Sequence, residues 1–326
     1  MDAAGRCAAD CGRAGIGVQV DEPYRTELSK TDRDYLASVA KKKPEVTETT
    51  VDAFSGEIGK LINVEMTTDL YYRDVKEVSE TFRNLRLYET DFFLFSSDIP
   101  AAQARPFIKA LDTMHHAMCK MYRIKRGTPV WKGKAVIIAF SRRAEYVAFQ
   151  QKFMQNTPAE HNHGRCRSYR SGRVIISAYY FGSASQFAQL LVHETTHGVN
   201  YRFRTTVHLP SWINEGIADV VGDSLVPMCK TVKGKESVAM RALKKTPRVG
   251  ANFFDTNRSI ETWQYGVASS LTRFLIKTNP QSFAAFIEGI KEGMTAEESL
   301  RRHYGVTFPE LLTAYGRAVG VPNLRN

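Results

Sequence analysis

The chain has 326 residues, 43% of them hydrophobic and 11% aromatic. That excludes a disordered or low-complexity protein and allows one sizeable catalytic domain with an appendage, or two small domains. A formal charge of +11 suits acidic substrates, nucleic acid or an anionic surface. The basic residues are scattered, however, with local concentrations at 41–43, 123–126 and 230–248 and no nucleic-acid motif beside them, so no nucleic-acid partner is expected. Cys7, Cys11, Cys119, Cys166 and Cys229 are too few and too dispersed for a disulfide framework, and one is left over. Cys7 and Cys11 have a spacing a metal could use, but no second pair accompanies them. No run is long and apolar enough to cross a membrane, and residues 1–20, which hold Arg6, Asp10 and Arg13, lack the apolar core of a secretory signal. The expectation is a cytoplasmic chain, with export allowed if the N-terminus is incomplete; the oligomeric state is not legible.

Residues 1–55 are rich in small and charged side chains and predict a poorly ordered arm with one short helix at 32–40. Residues 56–326 are expected to form a single domain, with a sheet-containing half at about 88–182 and a helical half at about 183–326. From Ile58 to Arg86 the pattern is mixed, a helix with an extended piece. Phe92–Phe95 has strand length, and Ala101–Tyr122 is an amphipathic helix carrying Phe107, Ile108, Leu111, Met114, Met118 and Met121. His115 and His116 on it are adjacent, point to different faces and cannot chelate one ion. Ala135–Phe140 reads as a buried strand and Arg142–Met154 as a helix. Gln155–Gly172 reads as a loop; its His161, His163 and Cys166 lack a carboxylate to complete a metal set. Arg173–Tyr180 is rich in β-branched and aromatic residues and predicts a strand. A helix capped by Ser183 or Ser185 then follows, uninterrupted by Pro or Gly from Ala184 to His197.

That helix ends in His193-Glu194-Thr195-Thr196-His197. Histidines four apart on a helix project from one face, one turn over the other, so both imidazoles can reach a single metal ion, with Glu194 beside them to hold and deprotonate a water. A strand leading directly into such a helix is the arrangement in which a substrate backbone can add to a sheet edge beside the metal. After Pro210 a second helix is predicted, with Ser211 as its cap, running through Trp212-Ile213-Asn214-Glu215-Gly216-Ile217-Ala218-Asp219. Glu215 falls in its first turns and could complete a two-histidine, one-carboxylate zinc site whose fourth position stays open for water. Asp219, four residues on, could accept from a ligand imidazole N–H. Lys230, Lys233, Lys235, Arg241, Lys244, Lys245 and Arg248, against Glu236 alone, predict a mobile basic loop or a basic lip beside the cleft. From Ile260 to Ala318 the chain reads as mostly helical, with stops at Asn279-Pro280, Gly293, Gly305 and Pro309.

HETTH followed by Pro-x-Trp-x-Asn-Glu-Gly-x-Ala-Asp resembles the gluzincin zinc peptidases, in particular the peptidase-MA-like domains, and Asn-Glu-Gly-Ile-x-Asp is also similar to a thermolysin-like site. The resemblance is specific from about Val174 to Val221 and loose from about Tyr88 to Gly320. It departs in the stretch from His197 to Glu215, about one or two residues shorter than in the best-known members. It implies His193, His197 and Glu215 as ligands of one Zn2+ per chain, Glu194 as general base and Asp219 as the acceptor behind a ligand. Relatives commonly use a downstream Tyr or His as oxyanion donor; Tyr265 is the candidate here, and His208 the second. The expectation is therefore an α+β fold, a small mixed sheet packed with helices and followed by a mostly helical C-terminal half, with the zinc site at the junction. Its expected function is a zinc metallopeptidase acting on a peptide or protein through a zinc-bound water. The alternatives are an inactive peptidase-like binding domain, or a zinc hydrolase of a non-peptide amide such as a cell-wall crosslink, for which a basic lip would suit an acidic substrate.

Overall fold

The computed structural model describes residues 64–326 except 126–129, 132, 170–171 and 257, with backbone only for 64–72. The arm expected at 1–55, its helix at 32–40, and Cys7 and Cys11 lie outside the described residues. The chain divides into two compact units that part between Gly198 and Val199.

The first unit runs through α1 (Val64–Thr81), β1 (Arg86–Glu89), β2 (Phe93–Ser97), α2 (Ala101–Met121), β3 (Ala135–Phe140), α3 (Arg143–Met154), β4 (Gly164–Ser168), β5 (Val174–Tyr179) and α4 (Ala184–Arg202). The last turn of α4, from Val199, is counted with the second unit. The sheet order is β1-β2-β3-β5-β4; β2, β3 and β5 are parallel, and the outer strands β1 and β4 are antiparallel to their neighbours. Every residue of β3 and β5 is buried, as inner parallel strands covered on both faces require. On one face Leu94, Val136, Ile138, Phe140 and Ile175 pack against Val75 and Val78 of α1 and Tyr146, Phe149 and Met154 of α3. The alternate residues point to the other face, where Phe93 meets His115 of α2 edge-on. Phe107 of α2 in turn packs edge-to-face on Phe187 of α4 at 5.0 Å.

Two expectations in this unit are corrected. Gly164-Arg165-Cys166-Arg167-Ser168, inside the expected loop 155–172, is a strand. It carries no apolar alternation of its own, and its conformation comes from pairing with Val174–Ala178 of β5. In consequence β5 lies between β3 and β4 and has no free edge; β4 is the edge strand on that side.

The second unit holds α5 (Ser211–Leu225), α6 (Thr231–Lys245), a 3₁₀ turn at Thr262–Gln264, α7 (Tyr265–Thr278), α8 (Pro280–Lys291), α9 (Ala296–Tyr304) and α10 (Phe308–Ala318). The protein is thus α+β with a helical C-terminal half. Trp212, fully buried, packs among Phe253, Phe286 and Phe308. Pro309 is not a stop: it sits in the first turn of α10, capped by Thr307 with Glu310, where a missing N–H costs nothing. Ser211 is not the cap of α5 either. Pro210 takes that position, and Ser211 Oγ accepts the Ile260 N–H at 3.3 Å. The largest correction falls on 230–248, most of which, Thr231–Lys245, is the helix α6 rather than a loop. Val232, Ala239 and Leu243 bury one narrow stripe of it, a pattern that the surrounding lysines mask in the sequence. No helix among the described residues is long and apolar enough to cross a membrane.

Candidate metal centre

Helix α4 starts where the chain provides a reciprocal cap. Ser183 Oγ accepts the Gln186 N–H at 3.3 Å, and Gln186 Oε1 accepts the Ser183 N–H at 2.9 Å. Phe187, Leu191 and Val192 bury the inner side of the helix. Thr195 and Thr196, fully buried, donate their hydroxyls back to Leu191 O at 2.7 Å and Val192 O at 2.8 Å, so the polar residues between the histidines are satisfied within the helix.

His193 and His197, half-buried, bring their Nε2 atoms to 3.1 Å with ring planes at 90°. Two nitrogens each ~2 Å from a tetrahedral zinc would lie ~3.3 Å apart, so this convergence fits the ion. The same contact lets one protonated nitrogen donate to the other, and a metal taking both lone pairs would replace that shared proton. Glu194 is 7% exposed. Strand β4 reaches it at Gly164, where a Cβ would stand 3.2 Å from Glu194 Cγ and 3.1 Å from Leu190 Cδ1. Glycine is what allows the edge strand to cross the acid this closely. Burial, and then the Glu194 charge, push the Tyr146 hydroxyl and the Cys166 thiol up in pKa, so both stay neutral beside it.

The start of α5 is tied to the last turn of α4. Asn200 Nδ2 donates to Asn214 Oδ1 at 2.8 Å, and Glu215 is the next residue. Gly216 permits backbone-level packing of α5 on α7: a Cβ there would lie 2.2 Å from Thr272 Oγ1 and 2.6 Å from Ala268 O. Among the described residues, ligand atoms of His193, His197 and Glu215 all lie within 4.8 Å of one another, and this half-buried group could hold a metal ion.

The remaining expected residues have varied surroundings. Asp219, with its side chain 2% exposed, accepts from Lys235 Nζ on both carboxylate oxygens, at 2.9 and 3.0 Å. Tyr265 opens α7, with the same Nζ 5.4 Å from its ring centroid. His208 packs beside Tyr201; local desolvation and then the Lys291 charge lower its pKa. Of the basic residues expected to form a lip, Lys230, Lys233, Arg241, Lys244, Lys245 and Arg248 are exposed. Lys235 of α6 is engaged by Asp219, and Glu236 shares Arg273 with Asp223, at 3.2 and 3.1 Å. His163 Nδ1 meets Tyr179 Oη at 2.6 Å and its ring stacks on Phe181. His115 stacks on Phe92 in the core.

Sequence reasoning missed Gly164, Asn200 and Lys291. Gly164 opens a segment without strand pattern, and a lysine closing a helix reads as an ordinary complement to the helix dipole. Asn200, one turn beyond His197 on the same helix, carried the only available hint. No protein-family model matches the chain, and no curated protein matches it. The resemblance to gluzincins therefore stands on the motif residues themselves.

Proposed function

We propose that this chain is a zinc-dependent hydrolase of gluzincin type that cleaves peptide bonds, with His193, His197 and Glu215 holding one zinc ion. The observation that carries the reading is the grouping of these three side chains with an intact, buried Glu194 between the histidines. When bound there, zinc supplies Lewis-acid chemistry, acidifying a water and polarising a carbonyl. Glu194 takes the proton of the attacking water and passes it to the leaving amine. The Tyr265 hydroxyl, or else His208, donates to the oxyanion. Asp219, whose carboxylate is held by Lys235, is the acceptor for a ligand imidazole N–H in this reading. The outer side of β4, the edge strand among the described residues, which crosses Glu194 at Gly164, is where an extended peptide would add as a further strand.

The test is Glu194→Gln. Zinc content by elemental analysis is measured beside cleavage of a mixed peptide library, for wild type and variant. About one zinc in both proteins, with turnover reduced by roughly 10²–10⁴-fold in the variant, is expected. Zinc in both without cleavage in either overturns the peptidase reading, and no zinc in the wild type overturns the site.

A further inference from the structure

Lys291, the last residue of α8, is completely buried. Its ammonium makes no carboxylate contact among the described residues. Instead, Nζ donates to Asn200 O at 2.9 Å, Tyr201 O at 3.4 Å and Val207 O at 2.5 Å. The first two are carbonyls of the final turn of α4, which a helix leaves without partners of its own and where its dipole favours a cation. Two further contacts hold α8 to the segment that follows α4. Thr205 Oγ1 donates to Lys291 O at 2.5 Å, and Arg204 pairs with Glu288 at 3.3 Å and Glu292 at 2.6 Å. Those ion pairs are exposed and contribute little; the buried lysine is the strong element. A buried charge is costly unless its donors are satisfied, and here they are spent on one helix end and the loop after it. Asn200, whose carbonyl Lys291 holds, uses its side chain to bind Asn214, the neighbour of Glu215.

We propose that Lys291 is a positioning residue for the candidate metal centre: it fixes the last turn of α4, so that Asn200 holds Asn214 and presents Glu215 at one reach from the helix carrying the histidines. This inference rests on the metal reading above and adds a residue to it that touches no ligand. A lysine serving only the fold would stabilise α4 and α8 while leaving the ligand geometry of folded molecules unchanged. The positioning role makes metal affinity and coordination depend on it.

The experiment measures Zn2+ affinity by competition with a chromophoric chelator, and the visible spectrum of the Co2+-loaded protein, for wild type, Lys291→Met, Asn200→Ala and Glu215→Ala, with folding checked by circular dichroism. Loss of a partner supporting a ligand typically weakens metal binding 10–100-fold, and that loss is expected for folded Lys291→Met and Asn200→Ala. Their Co2+ spectra should shift from the wild-type form toward that of Glu215→Ala. Where Lys291→Met does not fold, Asn200→Ala, which leaves every Lys291 bond in place, decides. Wild-type affinity and spectrum in the folded variants overturn the positioning role while the metal site stands; a wild type that binds neither ion overturns the site and the inference with it.

Discussion

Glu194 lies under a strand that has no side chain where it crosses, and this contact has a measurable consequence. Gly164→Val would put carbon atoms where Glu194 Cγ and the Leu190 methyls now pack, displacing the carboxylate without touching His193 or His197. The expected outcome is zinc retained at about one per chain, with cleavage reduced at least ~10-fold, since small misplacements of a catalytic group are expensive; undiminished cleavage would refute the account of Gly164. A second prediction concerns His115, buried against Phe92, Phe93 and Trp131. Burial, then His116, push its pKa down to about 4. Between the ordinary histidine range near 6.5 and about 4 the unfolded chain binds a proton that the folded chain refuses, so stability present above that window is lost as pH falls through it. The loss approaches about 3 kcal/mol at full titration. Denaturant unfolding at pH 7 and pH 4.5 should show a smaller drop for His115→Leu than for wild type.

Among the helices, α5 carries the main burden. Its Gly216 meets Ala268 and Thr272 of α7 so closely that Gly216→Ala forces the two helices apart. The expected cost is about 1–3 kcal/mol from overpacking, read as a lowered unfolding midpoint, together with weaker zinc retention because Glu215 is the adjacent residue. On its other flank Asp219 is paired by Lys235 of α6. Lys235→Met should destabilise by about 1–3 kcal/mol, below the cost of breaking a fully buried pair because the lysine is one-third exposed. These contacts explain why α6 is not legible in the sequence. A narrow apolar stripe at Val232, Ala239 and Leu243 is a weak periodic signal, and the residues that matter most on α6 are charged ones whose partners lie on α5 and α7. Strand β4 is illegible for the parallel reason that its pairing partner, not its composition, makes it a strand.

For the molecule as a whole, a ligand that binds only the folded state raises stability by mass action. Zinc at about a hundred times its dissociation constant adds about 2.7 kcal/mol, which for a domain of this size raises Tm by several degrees. Calorimetry should show that rise in wild type and none in a His193→Ala, His197→Ala double variant. An equal rise in both would place the zinc elsewhere. The α+β character and helical C-terminal half were legible from periodicity, because helix and inner-strand patterns are local properties of the chain.

The sequence by itself determined that His193 and His197 share a helical face with Glu194 beside them, since four-residue spacing on a helix admits no other arrangement. It also determined that Glu215 falls in the first turns of a following helix, because Pro210 stops the chain and apolar spacing resumes after it. Only the tertiary structure decided that β4 pairs as an edge strand over the acid, that Lys235 and Asp219 neutralise one another, and that a lysine on α8 holds the end of the histidine helix. Each of these depends on a partner far away in the chain, and local patterns of apolar and polar residues carry no record of who that partner is.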